Sequence, residues 1–395
     1  MLADKTIMIL GASILQLPAI ERATKMGLHV VALDMNPEAV GFNVPSVIKE
    51  VISTVDIDGA IKAAKKHNVD GVMTLATDMP MRAVAAVAKE CGLVGISEET
   101  AIKATDKSVM REALERASVP IPKYFRVENE FEYLQAVKQM KGAFLVKPSD
   151  SSGSRGIIKV EKKNEVNEAF SYTMKHCKNG VALVEECMVG PEVSVETLAV
   201  DGEINVIQIT DKITTGAPHF VEMGHTQPSR LHCLEEIKRV AVAANKALGI
   251  ENGPSHTEII VTDQGPKIVE LGARLGGDCI TTHLVPLSTG VDIVEACILI
   301  ALGEKPDITP SLECGSAIRY FHQREGIVKS IDGIKEVEKL AGVKQVSIVH
   351  GIGERITEIT DSGSRMGFVI AQGSDANDAA SIAECAISKI VVKIM

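Results

Sequence analysis

Short apolar runs alternate with amphipathic segments over the first hundred residues of the chain. Residues 5–10 read as a strand and Gly11-Ala12-Ser13 as a turn. Residues 18–26 read as a helix with Ile20, Ala23 and Met26 on one face and Gly27 as its stop. A second strand at 29–33 ends at Asp34. A helix at 57–66, a strand at 71–75, a helix at 79–91 stopped by Gly92, and a short strand at 93–95 follow. Apolar strands separated by amphipathic helices predict a parallel sheet with right-handed crossovers.

Beyond residue 96 the rhythm changes. Two consecutive helices, 97–105 and 107–117, end at a linker marked by Pro120 and Pro122. Between 144 and 161 two strand-like runs flank a Ser/Gly loop, and 181–187 and 193–200 are again strand-like. Residues 211–231 are polar with little periodicity and read as a long functional loop. A helix at 234–247, a hairpin at 257–262 and 267–271, and a helix around 293–302 precede a tail of mixed strands and helices, with a last helix at 376–390. The expected fold class is α/β, with an α+β central part, in three units: 1–96, 97–305 with a small lobe at about 122–188, and 306–395.

Composition narrows the field. The chain of 395 residues is 45% hydrophobic and 24% charged, enough apolar surface for ordered domains. Its 52 acidic and 42 basic residues give a net charge of −10, so no general pull toward nucleic acid or an anionic membrane is expected. With no Trp, 4 Tyr and 8 Phe, a base-stacking single-strand binder is not expected. The 8 cysteines include no C-x-x-C pair, which argues against zinc knuckles and dithiol redox motifs. The amino terminus lacks the pattern of a signal peptide, and no apolar run reaches the roughly 20 residues that span a bilayer, so a cytoplasmic protein is expected.

Four features carry candidate chemistry. Gly11, Ser13 and Gln16 occupy the places of a dinucleotide fingerprint, with Asp34 at the end of the next strand, but only one of the three is glycine; a tight strand-to-helix turn explains them as well. The loop Ser151-Ser152-Gly153-Ser154-Arg155-Gly156 joins two strands, follows Lys147, and can lay backbone N–H groups over phosphates. In the hairpin a three-residue turn, Asp263-Gln264-Gly265, makes Gln264 the centre of symmetry and sets Glu258 opposite Glu270, with Cβ atoms about 5 Å apart. Two carboxylates that close call for a shared proton or a cation; Mg²⁺ held by carboxylates and phosphates fits. Arg274, just past the strand end, is placed to stabilise developing negative charge.

Taken in order, these pieces resemble the ATP-grasp superfamily. The resemblance rests on AlaThrAspLysSer at 104–108, PheLeuValLysPro at 144–148, the loop at 151–156, LeuValGluGluCysMetValGlyProGluValSerValGlu at 183–196, the Glu258/Glu270/Arg274 hairpin and ArgMetGlyPheVal at 365–369. It is strongest to carboxylate–amine ligases such as bacterial L-amino-acid ligases, and extends to the carbamoyl-phosphate synthetase and biotin carboxylase branch. It implies an ATP-grasp fold behind a Rossmann-like domain, with the last unit completing the core. It further implies that Lys107 and Lys147 contact ATP phosphates, with Lys147 and Arg274 the catalytic pair. Ser151, Ser152, Gly153, Ser154 and Gly156 would cover the phosphates, and the backbone of Glu185, Glu186 and Cys187 would read adenine. Glu192 would take the ribose, and Glu258 and Glu270 would hold Mg²⁺ or, in its place, Mn²⁺. His219, Glu222, His225, Arg230, Arg274 and Arg319 would border the substrates. Many relatives carry Asn where this chain has Gly272, opposite His256; water or a neighbour such as Asp278 would then complete the metal shell.

The implied reaction joins a small carboxylate, such as an amino acid, to an amine through an acyl-phosphate, releasing ADP and phosphate. The alternative within the fold is a carboxyphosphate-forming enzyme like biotin carboxylase or carbamoyl-phosphate synthetase, although no biotin-carrier segment is seen. An oxidoreductase built on the amino-terminal turn and a non-enzymatic ATP sensor are the remaining alternatives. Homodimers are common in this architecture.

Overall fold

A computed structural model describes residues 2–151, 153, 155–217 and 219–395; Ser152 and Ser154 of the candidate loop lie outside the described residues. Strands β1 (Thr6–Leu10), β2 (His29–Leu33), β3 (Ile48–Glu50) and β4 (Gly71–Met73) form a parallel sheet in the order β3-β2-β1-β4. Helices α1 (Leu17–Lys25), α2 (Ile57–His67) and α3 (Met81–Cys91) flank it, α1 burying Ala19, Ile20 and Ala23. The short strand expected at 93–95 does not form. Instead the Leu93 amide donates to the Ala88 carbonyl at 2.8 Å behind left-handed Gly92, so this segment is the closing turn of α3.

The amino-terminal glycine turn is closed on itself. Gly11 has φ +101°, and a Cβ there would lie 2.6 Å from the Gln16 side chain. Gln16 in turn donates to the Leu75 carbonyl at 2.6 Å, and Asp34 accepts the Ala12 amide at 2.9 Å. Residues that a dinucleotide would need are engaged in holding a tight turn.

Helices α4 (Glu98–Thr105) and α5 (Lys107–Arg116) meet at Asp106, which ends the first and caps the second by accepting the Ser108 and Val109 amides. A small lobe follows: β5 (Tyr124–Val127), α6 (Glu130–Gln139), β6 (Phe144–Pro148), β7 (Ile158–Val160), α7 (Val166–Met174) and β8 (Ala182–Glu186). Its antiparallel sheet runs β5-β8-β6-β7, and Tyr133 stacks on Phe170 with ring centroids 4.8 Å apart in its own apolar core.

The rest of the chain builds one large sheet. Its strands are β9 (Glu192–Val200), β10 (Glu203–Thr214), β11 (Glu222–Gln227), β12 (Gly253–Thr262), β13 (Gly265–Gly272) and β14 (Gly315–Tyr320); β15 (Gly326–Asp332), β16 (Val343–Ile348), β17 (Arg355–Ile356), β18 (Gly367–Gly373) and β19 (Val391–Ile394) complete the chain. Eight of them run β13-β12-β9-β10-β11-β14-β18-β16, while β17-β15-β19 form a separate small sheet. Helix α8 (Leu234–Leu248) buries Ile237, Ala241, Ala244 and Leu248 against the β12 end. After the buried α9 (Val285–Thr289) and α10 (Ile293–Ala301) and the short α11 (Ile334–Val337), α12 (Ala376–Ser388) sets Ala379 and Ala383 on Ala317 of β14 and Ala371 of β18. Among the described residues no single helix is long and apolar enough to cross a membrane.

Residues 211–231, expected as an irregular loop, instead hold the end of β10 and all of β11, paired antiparallel from Asp211↔Thr226 to Thr214↔Glu222. Among their inward polar side chains Gln227 donates to Thr210 at 2.8 Å and accepts from Ser288 at 2.9 Å, whereas Nδ1 of buried His225 has no hydrogen-bond partner among the described residues. Polar strands of this kind leave no apolar alternation in the sequence.

Candidate active site

The β12–β13 hairpin sets the site. Its turn holds two residues, since Thr262 already pairs with Gly265. On that register Glu258 would face Val269. A β-bulge at Val269 restores the pairing Glu258↔Glu270 and His256↔Gly272. Ile268 and Leu271 therefore both point into the core, while the consecutive Val269 and Glu270 both line a cavity of about 530 Å³ between the small lobe and the large sheet. The opposition expected from sequence symmetry is present, produced by a shorter turn plus a bulge.

A different lysine engages each of the paired carboxylates. Lys107, at the start of α5, donates to Glu270 at 2.8 Å and to the Ser151 carbonyl at 2.7 Å. Lys212, buried on β10, donates to Glu258 at 2.8 Å and Glu192 at 2.7 Å, with Glu222 at 3.7 Å. Burial pushes the Glu258 carboxyl up, but Lys212 and His256 outweigh burial and hold it well below the usual carboxylate range. Burial keeps the Glu192 carboxyl raised despite Lys212. Behind them His256 faces Glu196 at 2.5 Å through Nδ1 and Glu258 at 3.5 Å through Nε2. Burial works against the charged ring, yet Glu196 outweighs it and pushes His256 up to about 9.

A third cluster lies under the small lobe. Glu185 accepts from Arg111 Nε at 2.7 Å and pairs with Lys147 at 2.5 Å, while Arg111 also donates to the carbonyl of bulged Val269 at 2.6 Å. The Glu185 side chain thus anchors Lys147. Burial lowers the Lys147 ammonium, opposed by Glu185; Arg111 and Lys147 in turn outweigh burial and keep the Glu185 carboxyl low. At the opposite end Asp278 accepts from both terminal nitrogens of Arg365 at 2.8 Å, and Arg365 stacks 3.8 Å from the Tyr320 ring centroid.

Most expected site residues meet in this one cavity. Lys107, Lys147, Ser151 and Gly153 line it on one side, Glu186 and Cys187 from the end of β8, and Glu185 and Glu192 beside them. Glu258, Glu270 and Arg274 form the floor, with Glu222 and His225 at the far end. Gly156 and His219 line a neighbouring cavity of about 740 Å³, which also reaches Glu222. Two expectations are corrected. Arg230 is half-exposed and bound to Asp211 at 3.1 Å, outside both cavities. Arg319 points to the other face of the sheet, donating to Glu384 of α12 at 3.1 Å and to the His225 carbonyl at 3.0 Å. Asp278, considered for the metal shell, is committed to Arg365 and to His225 at 3.4 Å.

Lys212, Arg111 and Asp78 were not singled out by the sequence, and Arg365 entered only within the segment 365–369, with no role. Arg111 had a signal, since it follows Lys107 by one helical turn. Asp78 follows the carboxyl end of β4, where open parallel sheets bind ligands.

Residues 140–282 match the ATP-grasp domain, and residues 319–395 match the L-amino acid ligase C-terminal domain 2. The chain thus carries an ATP-grasp domain followed by an L-amino acid ligase C-terminal domain, the pairing of an ATP-grasp carboxylate–amine ligase. It is similar to the uncharacterized protein y4rH of Sinorhizobium fredii, 26% identical over 94% of this chain and 79% of that one. It is also similar to the L-arginine-specific L-amino acid ligase of Bacillus subtilis, 26% identical over 68% of this chain and 66% of the other. The crystal structure of an L-amino acid ligase from Bacillus licheniformis superposes with a TM-score of 0.86, at 22% identity over 99% of both chains, which bears out the ATP-grasp fold.

Proposed function

We propose that the protein is an ATP- and Mg²⁺-dependent L-amino acid ligase, joining the carboxylate of one amino acid or small acid to the amine of another with release of ADP and phosphate. The observation that carries this reading is the Glu258/Glu270 pair, opposed at the floor of one cavity with Lys107, Lys147 and Arg274 around it. The donor set fits a hard divalent cation: two carboxylates on adjacent strands, with phosphates to supply further oxygens. Bound there, Mg²⁺ would offset charge on the nucleotide phosphates.

The chain's own groups do the rest. Lys107 and Lys147 hold phosphate oxygens, the backbone at Glu186 and Cys187 reads the base, and Glu192 meets the ribose. The acid's carboxylate attacks the γ-phosphate and becomes an acyl-phosphate, a good acylating group. The amine then attacks its carbonyl carbon, and phosphate leaves. Arg274 acts where negative charge gathers on the reacting acyl group. No protein nucleophile is required; positioning and electrostatics supply the catalysis.

An assay of ADP and phosphate release against pairs of amino acids, with products read by mass spectrometry, tests the proposal. A product of the summed mass of both substrates minus water is expected. ATP turnover that depends on bicarbonate, with no amide formed, would favour the carboxyphosphate alternative.

A further inference from the structure

Arg274 is held by the amino-terminal domain. Asp78 accepts from its Nε and its Nη2, both at 3.0 Å, a side-on fork in which both partners are largely buried. Among the described residues the remaining nitrogen, Nη1, has only a long contact of 3.4 Å to the Leu275 carbonyl. One edge of the guanidinium is thereby fixed and the other is left to the cavity, which Asp78, Gly272, Glu258 and Glu270 also line.

Gly272 makes room for this arrangement. A Cβ at residue 272 would lie 2.5 Å from Asp78 Oδ1 and 3.2 Å from both Arg274 Cζ and Nε. Its backbone does not lie in the left-handed region, so glycine is not required there by conformation. Space is what it supplies, and the Asp78 carboxylate uses that space. On the other side Ala76 adopts φ +60°, a conformation L residues with a side chain seldom take, in the turn that delivers Asp78 from the end of β4. A pocket on one strand and a kinked turn on another domain thus converge on a single ion pair.

We propose that Asp78 is a positioning residue for ligation: it fixes the Arg274 guanidinium so that Nη1 faces the reacting acyl group, and Gly272 is the space that permits it. This rests on the ligase reading above. The bland alternative is an ion pair that merely staples two domains together. Such a staple would be felt in stability and not selectively in turnover.

The test uses full-length protein with an amino-acid pair that the wild type ligates. In Asp78→Asn the turnover number should fall about tenfold or more, while the KM for ATP stays within about threefold, because the fork supports a group that acts in the transition state. Asp78→Glu, which keeps the charge, should recover part of the loss. Gly272→Ala should reproduce the Asp78→Asn defect, and the double variant should be no worse than the poorer single one, as expected of two changes to one contact. Wild-type turnover in Asp78→Asn overturns the proposal. So does an equal loss in Asp78→Asn and Asp78→Glu that tracks a fall in melting temperature. If the wild type forms no amide from any pair, the ligase reading itself fails, and this inference with it.

Discussion

Glu258 and Glu270 stand opposite each other across the β12–β13 hairpin, yet each carboxylate is engaged by a different lysine, Lys212 and Lys107. The repulsion expected of a bare pair is therefore already offset in the folded protein. Glu270→Gln should abolish amide formation and leave the fold intact, with the loss visible in ADP release and a melting temperature changed by only a few degrees. ATP turnover at the wild-type rate in this variant would remove Glu270 from the metal site.

In the proposed reaction Lys147 and Arg274 divide the work. Lys147, the proposed phosphate ligand, is anchored by Glu185, so Lys147→Ala should weaken nucleotide affinity and turnover together. Arg274→Ala should keep ATP affinity within about threefold while ligation falls by about 10², the scale of losing one oxyanion contact. Calorimetry with ATP and product formation by mass spectrometry separate the two. Equal loss of ATP binding in both would make Arg274 a ground-state phosphate ligand.

Buried Glu185 joins two cations, Arg111 and Lys147, that have no other carboxylate partner among the described residues. Glu185→Gln should destabilise the protein by about 3–5 kcal/mol, the scale of breaking a buried ion pair. Urea denaturation measures it; a change below about 1 kcal/mol would show that water reaches the cluster.

Asp278 gives a pH signature. Burial alone would raise its carboxyl, but Arg365 and His225 hold it below its ordinary value of 3.8. A depressed folded value adds stability that is complete above the unfolded value and is lost as pH falls below it. The urea midpoint of the wild type should therefore drop as pH falls through and below 3.8, and Asp278→Asn should flatten that drop. Equal slopes in the two proteins would show that the Arg365 contact is not formed in solution.

The parallel sheet was legible because β1, β2 and β4 are apolar runs between amphipathic helices. The hairpin was legible because the Gly265 turn signal separates two apolar runs, although the turn holds two residues and not three. β10 and β11 were not, because a strand lining a polar cavity carries Lys212, Glu222 and His225 where alternation would place apolar residues. Arg319 was misplaced for a related reason: a basic residue on a strand carries no mark of which face it takes, and here Glu384 of α12 draws it away from the cavity. The tie between Asp78 and Arg274 spans 196 positions and leaves no local signal at all.

Strands count in twos, and the bulge at Val269 is where this hairpin skips a beat. Upstream of it, odd and even positions of β13 have one meaning; downstream they have exchanged it. Deleting Val269 would flatten the bulge and leave Glu270 opposite Glu258 on an unbroken ladder, removing only the carbonyl that Arg111 holds. Smoothing the bulge at unchanged length would do the reverse: Val269 would come opposite Glu258 and Glu270 would turn toward α8, so the parity of this strand rests on keeping the extra residue and the bulge together.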